Sequence, residues 1–314
     1  MLSRTADQLY WMARYIERAE NMARLLDVTW QMSLVPQTTE VANRSWLAAL
    51  NCSGRAQTYQ DLHDEVDGAK VLHFLAMDEQ NSSSIYSCLR AARENAHAVR
   101  GTLTQEMWET VNSTWLEMAQ RASRPLSEVD HGEFFEWVKR RSSLSRGVTF
   151  GTMLHDEAFH FIRLGTHLER ADNTARLLDV KYHLLAAGLT GGGAGDYYQW
   201  GALLRSVSAF EIYRRVYRDV MTPTRVAELL ILRDDMPRSL LACLETVDAA
   251  LHKIANRHSA ETCRRAGQLH AELRYGRIED IVEDGLHPFL SRFTDRIHDL
   301  GDRIGQDFLL PSLL

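Results

Sequence analysis

Strand signals are nearly absent from this chain of 314 residues: no Asn-Gly or Asp-Gly pair sits between alternating apolar runs. Prolines number only six, too few for a loop-rich or extended architecture. The four cysteines, at 52, 88, 243 and 263, form no CxxC, which argues against a disulfide framework and fits a reduced, cytoplasmic protein. No apolar run approaches the roughly 18 residues that cross a bilayer, so no membrane span is expected. The first residues, Met1 to Asp7, lack the apolar core of a secretion signal. Charge is balanced, at a net −6 without long blocks of one sign, so no nucleic-acid-binding tail is expected. A nucleophile-elbow G-x-S-x-G and a phosphate-cradling Gly-rich loop followed by Lys-Ser or Lys-Thr are missing as well.

Helical periodicity fills the space these absences leave. Leu9, Met12, Ile16, Ala19, Ala23, Leu26 and Trp30 step by three and four along one stripe. Phe161, Leu164, Leu168, Ala171, Ala175, Leu178 and Tyr182 make a second stripe of the same kind. The spacing predicts helices near 3–33, 41–60, 66–77, 83–100, 104–121 and 131–150. A second set is predicted near 156–187, 197–220, 223–233, 237–256, 260–284 and 288–308. The stretch Gly191-Gly192-Gly193-Ala194-Gly195 reads as a loop between helices. The expected fold is an all-α helical bundle.

Its organising feature is a repeat. The segment from Ile16 to Val28 returns 152 residues later, from Leu168 to Val180, with ten of thirteen positions identical. Further matches follow at offsets of 154 and 155: Trp46 with Trp200, Tyr59 with Tyr213, Val71 with Val226, Ser84 with Ser239, Cys88 with Cys243 and His97 with His252. Glu106 and Glu117 match Glu261 and Glu272. An offset drifting by three residues is what two copies with small loop insertions produce. The chain therefore reads as two tandem six-helix units, 1–152 and 153–314, in one pseudo-two-fold globule.

Inside the repeat, polar residues are kept where apolar ones drift. Glu17, Asn21 and Arg24 share a helix face with Arg18 beside them; Glu169, Asn173 and Arg176, beside Arg170, repeat the pattern. Glu20 and Asp27 lie to the other side of the first stripe, Asp172 and Asp179 to that of the second. Two main readings stay open. The groups lock the copies together, since buried charges persist only when paired, or they converge on a ligand such as a zwitterion, a peptide backbone or a phosphate; a merely solvated helix face is the third, which the identical repetition disfavours.

A second polar cluster exists once. Arg93, Glu94, Asn95, His97 and Arg100 lie on the helix leading to Glu106-Met107-Trp108-Glu109 and Asn112, and Arg90, Arg93, His97 and Arg100 make a basic row. The second copy has Asp248, Ala249 and Ala250 where the first has Arg93, Glu94 and Asn95. A pairing needed only for packing should survive in both copies. The cluster thus marks either a solvated basic face or an anion site.

Helical bundles also house di-iron centres built on Glu-x-x-His pairs. Three pairs occur here, Glu94/His97, Glu128/His131 and Glu157/His160, but only Glu157 follows a core stripe. A metalloprotein is the weaker alternative, and no metal or cofactor is expected. Cys88 and Cys243 read as small buried hydrophobes. Trp11, Trp108 and Trp115 are the tryptophans least tied to the core pattern.

Several of these segments together resemble the bacterial alpha-E domain family. They are Met1-Leu2-Ser3-Arg4, Tyr10 to Glu20, Ala92 to Ala96, Val99-Arg100, Glu106 to Glu109, Asn112, Leu164-Gly165, Leu168 to Asp172, and Pro237-Arg238-Ser239. Nearly the whole chain is covered, and Glu17-Arg18 and Glu169-Arg170 match the Glu-Arg motif that names the family. The resemblance implies an all-helical fold and an accessory role beside ATP-grasp peptide ligases and transglutaminase-like proteases, in a peptide-synthesis or peptide-modification system. It carries no reaction. His97 and His160 depart from the family pattern, which leaves a histidine-based mechanism without support from it. A non-catalytic scaffold is therefore expected, and an enzyme using Glu17 and Glu169 as acid–base groups is the alternative.

Overall fold

A computed structural model describes residues 1–124, 128, 130–186 and 194–309. Among the described residues it contains fifteen α-helices, one 3₁₀ turn and no strand. The first half runs α1 (Ser3–Ser33), α2 (Thr39–Ser53), α3 (Ala56–Gln60), α4 (Gly68–Ala76), α5 (Ile85–Ala98), the 3₁₀ turn Arg100–Thr102, α6 (Gln105–Ala122) and α7 (His131–Thr152). The second runs α8 (Glu157–Ala186), α9 (Ala194–Ser206), α10 (Phe210–Tyr217), α11 (Pro223–Ile231), α12 (Leu240–Ile254), α13 (Ala260–Tyr275), α14 (Ile278–Asp284) and α15 (Leu286–Phe308). The helical expectation holds at the level of the fold class.

Many helix starts are chemically specified. The side chains of Thr38, Asp67, Ser84, Thr104, Asp130 and Ser239 each accept a hydrogen bond from a backbone N–H of the first turn they precede. Thr222 does the same ahead of Pro223, whose missing N–H costs nothing at a helix start. Each such cap contributes about 1 kcal/mol.

Three predicted helices are each two. The segment 41–60 breaks after Ser53, 197–220 after Ser206, and 260–284 at Gly276. At the first break Gly54 takes a left-handed φ of 67°, and the Arg55 N–H reaches back to the Leu50 carbonyl. At the second Ser208 takes φ 55°, and the Ala209 N–H reaches the Leu204 carbonyl. Both are left-handed helix ends closed by a six-residue backbone loop. Periodicity continues through such a break, which is why the spacing alone merges the pieces. In the glycine-rich segment, Ala194 and Gly195 already open α9, and 191–193 fall outside the described residues.

The chain divides into two compact units. The N-terminal unit is Gln8–Gly165; the C-terminal unit is Met1–Asp7 with Thr166–Leu314. In the N-terminal unit α5 packs on α6, α6 on α7, and α2 on α3 and α4. Its core holds Leu9, Met12, Tyr59, Phe74, Ile85 and Phe134, all essentially inaccessible. Tyr59 spends its hydroxyl on the Glu65 carbonyl, so the buried phenol is not left unsatisfied. Where α8 begins in this unit, a Cβ at Gly165 would overlap the Tyr10 carbonyl oxygen and lie 3.3 Å from the Ala13 Cβ, so glycine sets the approach to α1.

In the C-terminal unit α12 packs on α13, and α13 and α14 on α15. Leu203, Tyr213, Leu229, Cys243, Leu251 and Ile304 lie at its centre. Tyr213 donates its hydroxyl to the Val220 carbonyl, much as Tyr59 does to Glu65.

Candidate functional site

In the N-terminal unit the polar stripe of α1 is answered by α7. Glu20 is fully buried, and Arg24, one turn along, donates to its Oε1 from Nε and Nη2 at 2.9 and 2.7 Å. Across from it, Ser142 donates to Oε2 at 2.6 Å, and the Arg146 guanidinium closes on the same carboxylate. Glu17, also buried, lies 3.5 Å from Arg146. Seven residues on, Asp27 takes an ion pair from Lys139 at 2.8 Å. Glu20 and Asp27 are seven apart, as are Lys139 and Arg146. The pairs run in opposite order, so α1 and α7 are antiparallel, with two rungs about 10 Å apart.

Lys139 also meets Glu136 at 2.8 Å. Burial pulls its ammonium pKa down, but the Asp27 and Glu136 carboxylates outweigh that and hold it above its ordinary value. Glu136, bonded to Lys139, is held below its ordinary value. Behind this face, α1, α5, α6 and α7 enclose a cavity of about 20 Å³ lined by Ile16, Ala19, Leu89, Ala92, Val111 and Ser142 among others. That is room for about one water. Arg141 borders it, with its donors already engaged by Thr114, Ser113 and the Thr110 carbonyl.

In the C-terminal unit the matching carboxylates meet histidines. Asp172, which matches Glu20, is held by Arg176 Nε at 3.0 Å and by His298 Nε2 at 3.0 Å. Asp179, which matches Asp27, is held by His287 Nδ1 at 2.7 Å. Both histidines come from α15, antiparallel to α8. Here the carboxylates are half-buried and the imidazoles about half-exposed. Beside the ladder, buried Arg170 reaches the Pro237 carbonyl at 3.4 Å, and buried Thr174 the Arg238 carbonyl at 3.0 Å. This motif arginine thus helps seat the segment that leads into the Ser239 cap. Glu169 is buried and Asn173 half-buried in the same unit. In the N-terminal unit Asn21 is buried and Arg18 half-buried, its guanidinium 5.6 Å from the centre of the Tyr15 ring.

The once-only cluster surrounds Trp108. Arg93 and Arg100 place guanidinium carbons 5.7 and 5.2 Å from the centre of the Trp108 ring, and the His97 ring lies 5.7 Å away. Arg93 Nε also donates to Asn112 Oδ1 at 3.3 Å. Asn95 bonds its own helix, at the Ala91 carbonyl, and Glu94 is exposed. Trp115 turns instead to Tyr86, over which Arg90 lies, itself paired with Glu79. Trp11 lies half-buried under the Arg14 guanidinium.

The profile of the Alpha-E domain, described as a predicted alpha-helical domain with a conserved ER motif, matches residues 1–309. The chain belongs to the Alpha-E family. This Alpha-E chain holds two Glu-Arg dipeptides, Glu17-Arg18 on α1 and Glu169-Arg170 on α8. It is 26% identical over 316 residues to uncharacterised proteins of Mycobacterium tuberculosis and Mycobacterium bovis. The match takes 94% of this chain and 35% of theirs, so the chain spans about a third of the length of these curated relatives. No solved structure matches.

Four groups of the ladders lay outside the expected site: Lys139 and Arg146 on α7, and His287 and His298 on α15. Glu20 and Asp27 stood in the repeat but were assigned to its far side. For the N-terminal pair the signal is the seven-residue step shared by Glu20/Asp27 and Lys139/Arg146; His287 and His298, eleven apart, carry no such step. The Glu-x-x-His pairs do not converge on one point: Glu94 and His97 are exposed near Trp108, while His131 opens α7 stacked on Trp30 at 4.4 Å. Among the described residues no three His, Cys, Asp or Glu side chains gather as a metal site would need, and no helix is long and apolar enough to cross a membrane.

Proposed function

We propose that this Alpha-E chain is a non-catalytic accessory module of a peptide-forming or peptide-modifying system, working beside an ATP-grasp ligase and a transglutaminase-like protease. The observation that carries the reading is the state of the carboxylates around the first Glu-Arg motif. Glu20 is fully buried between two guanidiniums and a serine hydroxyl, and Glu17 is buried near Arg146. Acid–base catalysis needs a carboxyl that gives up and regains a proton near working pH, and guanidinium partners favour the charged form instead. A cavity with room for one water behind this face adds to the case for a structural lock in this unit. The mycobacterial relatives, about three times as long, carry the matching region as part of a longer chain, as a module serving neighbouring domains would be.

The same reading takes the chain as a duplicated unit, 1–152 and 153–314. Its support is the repeated order of elements, α1–α5 against α8–α12, and the left-handed residues Gly54 and Ser208 at the repeat offset. The test is co-expression with an ATP-grasp peptide ligase from the same organism, followed by purification on a tag carried by one partner. The expected result is a stable complex and a ligase rate that changes when this chain is added. The absence of both co-purification and a rate change would overturn the proposal.

A further inference from the structure

The cluster around Trp108 holds two arginines that, among the described residues, no carboxylate takes, unlike several charged groups of the same unit. In the N-terminal unit Arg90 is paired with Glu79, Arg121 with Glu133, Arg141 with Glu117, and Arg24 and Arg146 with Glu20. A groove of about 170 Å³ between α13 and α15 in the C-terminal unit holds three arginines that are likewise taken. Arg264 and Arg265 share Glu261, whose carboxyl they hold down at about 2, and Arg296 is paired with Glu272. Arg93 and Arg100 are not used this way. Among the described residues neither meets a carboxylate at ion-pairing distance; Arg93 bonds only Asn112, and both lie on the Trp108 ring.

That arrangement is prepared for a ligand. The indole lies against both guanidiniums, which reduces the side-chain freedom lost when an oxyanion arrives. With Arg93 Nε engaged by Asn112, its Nη groups are left to donate, and an arginine fork matches carboxylate geometry. The two guanidinium carbons lie within about 11 Å of one another, a span that neighbouring carboxylates of one peptide can bridge. Exposed His97 adds a third donor, and the Trp108 ring is half-buried, open to pack against a peptide's apolar atoms. Glu94, Glu106 and Glu109 stand exposed along the same two helices. They can accept the N–H groups of a peptide backbone. The matching positions of the C-terminal unit, Asp248, Ala255 and Cys263 for Arg93, Arg100 and Trp108, could not do this.

We infer that Arg93, Arg100 and Trp108, with His97, form a binding site for the carboxylates of an acidic peptide segment. This rests on the accessory role only for its biological setting, because the site belongs to the purified chain alone. The test is calorimetric titration of the full chain with a tetra-glutamate peptide, with a tetra-glutamine peptide and inorganic phosphate as parallel arms. Tetra-glutamate should bind, tetra-glutamine should not, and phosphate should bind at least tenfold more weakly. The double variant Arg93→Gln, Arg100→Gln should lose at least tenfold in affinity with unchanged helical content, and Trp108→Leu severalfold. Conversion of surface Arg264→Gln should leave binding intact. No binding of tetra-glutamate, equal binding of phosphate, or undiminished binding by the double variant would each overturn the site. Complex formation with the ligase is a separate measurement, so either proposal can fail without the other.

Discussion

In the N-terminal unit the carboxylates of the long first helix are held by arginine, lysine and serine; in the C-terminal unit the matching carboxylates are held by arginine and two histidines. Glu20 and Asp172 each take a guanidinium from their own helix, Arg24 and Arg176, at the same four-residue step. The difference lies on the helix that answers them: Lys139 and Arg146 on α7 in the N-terminal unit, His287 and His298 on α15 in the C-terminal unit. What stays fixed is a carboxylate with a local arginine; what varies is the residue type that meets it from each unit's last long helix and how deeply the pair is buried. Glu20 is inaccessible, whereas Asp172 keeps about an eighth of its side chain in solvent. Depth decides the energetics, because removing one partner of a buried pair strands the other, while exposed pairs contribute little.

The sharpest break of this comparison is therefore its carboxylates. Glu20→Ala should destabilise by about 3 kcal/mol, the lower end for a buried pair because Arg24 and Arg146 can turn toward water. Asp172→Ala should cost about 1 kcal/mol, since its partners are already partly hydrated. Urea denaturation gives the totals, and amide exchange read separately on α7 and α15 shows which unit loosens. Equal losses would mean that burial depth does not separate the two ladders.

Next in size is an exchange of cations. Arg146→His brings the C-terminal unit's chemistry to the buried ladder and should cost about 1.5 kcal/mol, because imidazole is charged only when protonated and cannot span Glu17 and Glu20 as a fork does. The reciprocal His298→Arg should change stability by less than about 0.5 kcal/mol at its half-exposed site. Denaturation midpoints measured on both variants test this, and a large gain from His298→Arg would show the C-terminal ladder to be frustrated rather than merely exposed.

The fold class and many helix starts were legible in the sequence because both are local: periodicity gives a helix, and Ser, Thr or Asp before it gives its cap. Breaks inside periodic runs were not legible, since the apolar step survives a left-handed residue, and Ser208 is not a residue that announces one. The site was half legible. The repeat pointed to Glu17, Asn21 and Arg24, while the group most engaged within the N-terminal unit, Glu20, was set aside. Its partners Ser142 and Arg146 lie more than 120 residues away, and only packing brings them to α1. The Arg93 cluster was found by its asymmetry, but its centre, Trp108, needed the α5–α6 contact.

The two helix ends sharpen the comparison on the backbone. Gly54 and Ser208 sit at matching breaks with φ of 67° and 55°. A side chain in that region costs about 1 kcal/mol relative to glycine. Ser208→Gly should thus raise stability by about 0.5–1 kcal/mol, and Gly54→Ser should lower it by about 1 kcal/mol. Thermal melts of both variants check the opposite signs; two shifts of the same sign would mean that the surroundings of the two ends, rather than backbone strain, govern them.

The smallest effect concerns proton linkage, and it separates the ladders by pH. Lys139 is held above its ordinary value of 10.5 by Asp27 and Glu136 against the opposing pull of burial. A group whose folded pKa is raised contributes in full below its unfolded value and loses that contribution as pH rises through the folded value. The Lys139 rung therefore contributes unchanged through neutral pH and weakens only above about pH 10.5. Guanidinium stays charged there, so the Arg146 rung persists. The stability difference between the wild-type chain and Lys139→Met should be flat from about pH 7 to 10 and then shrink toward pH 12. A difference that instead shrinks on acidification would place the dominant linkage on the carboxylates, not on Lys139.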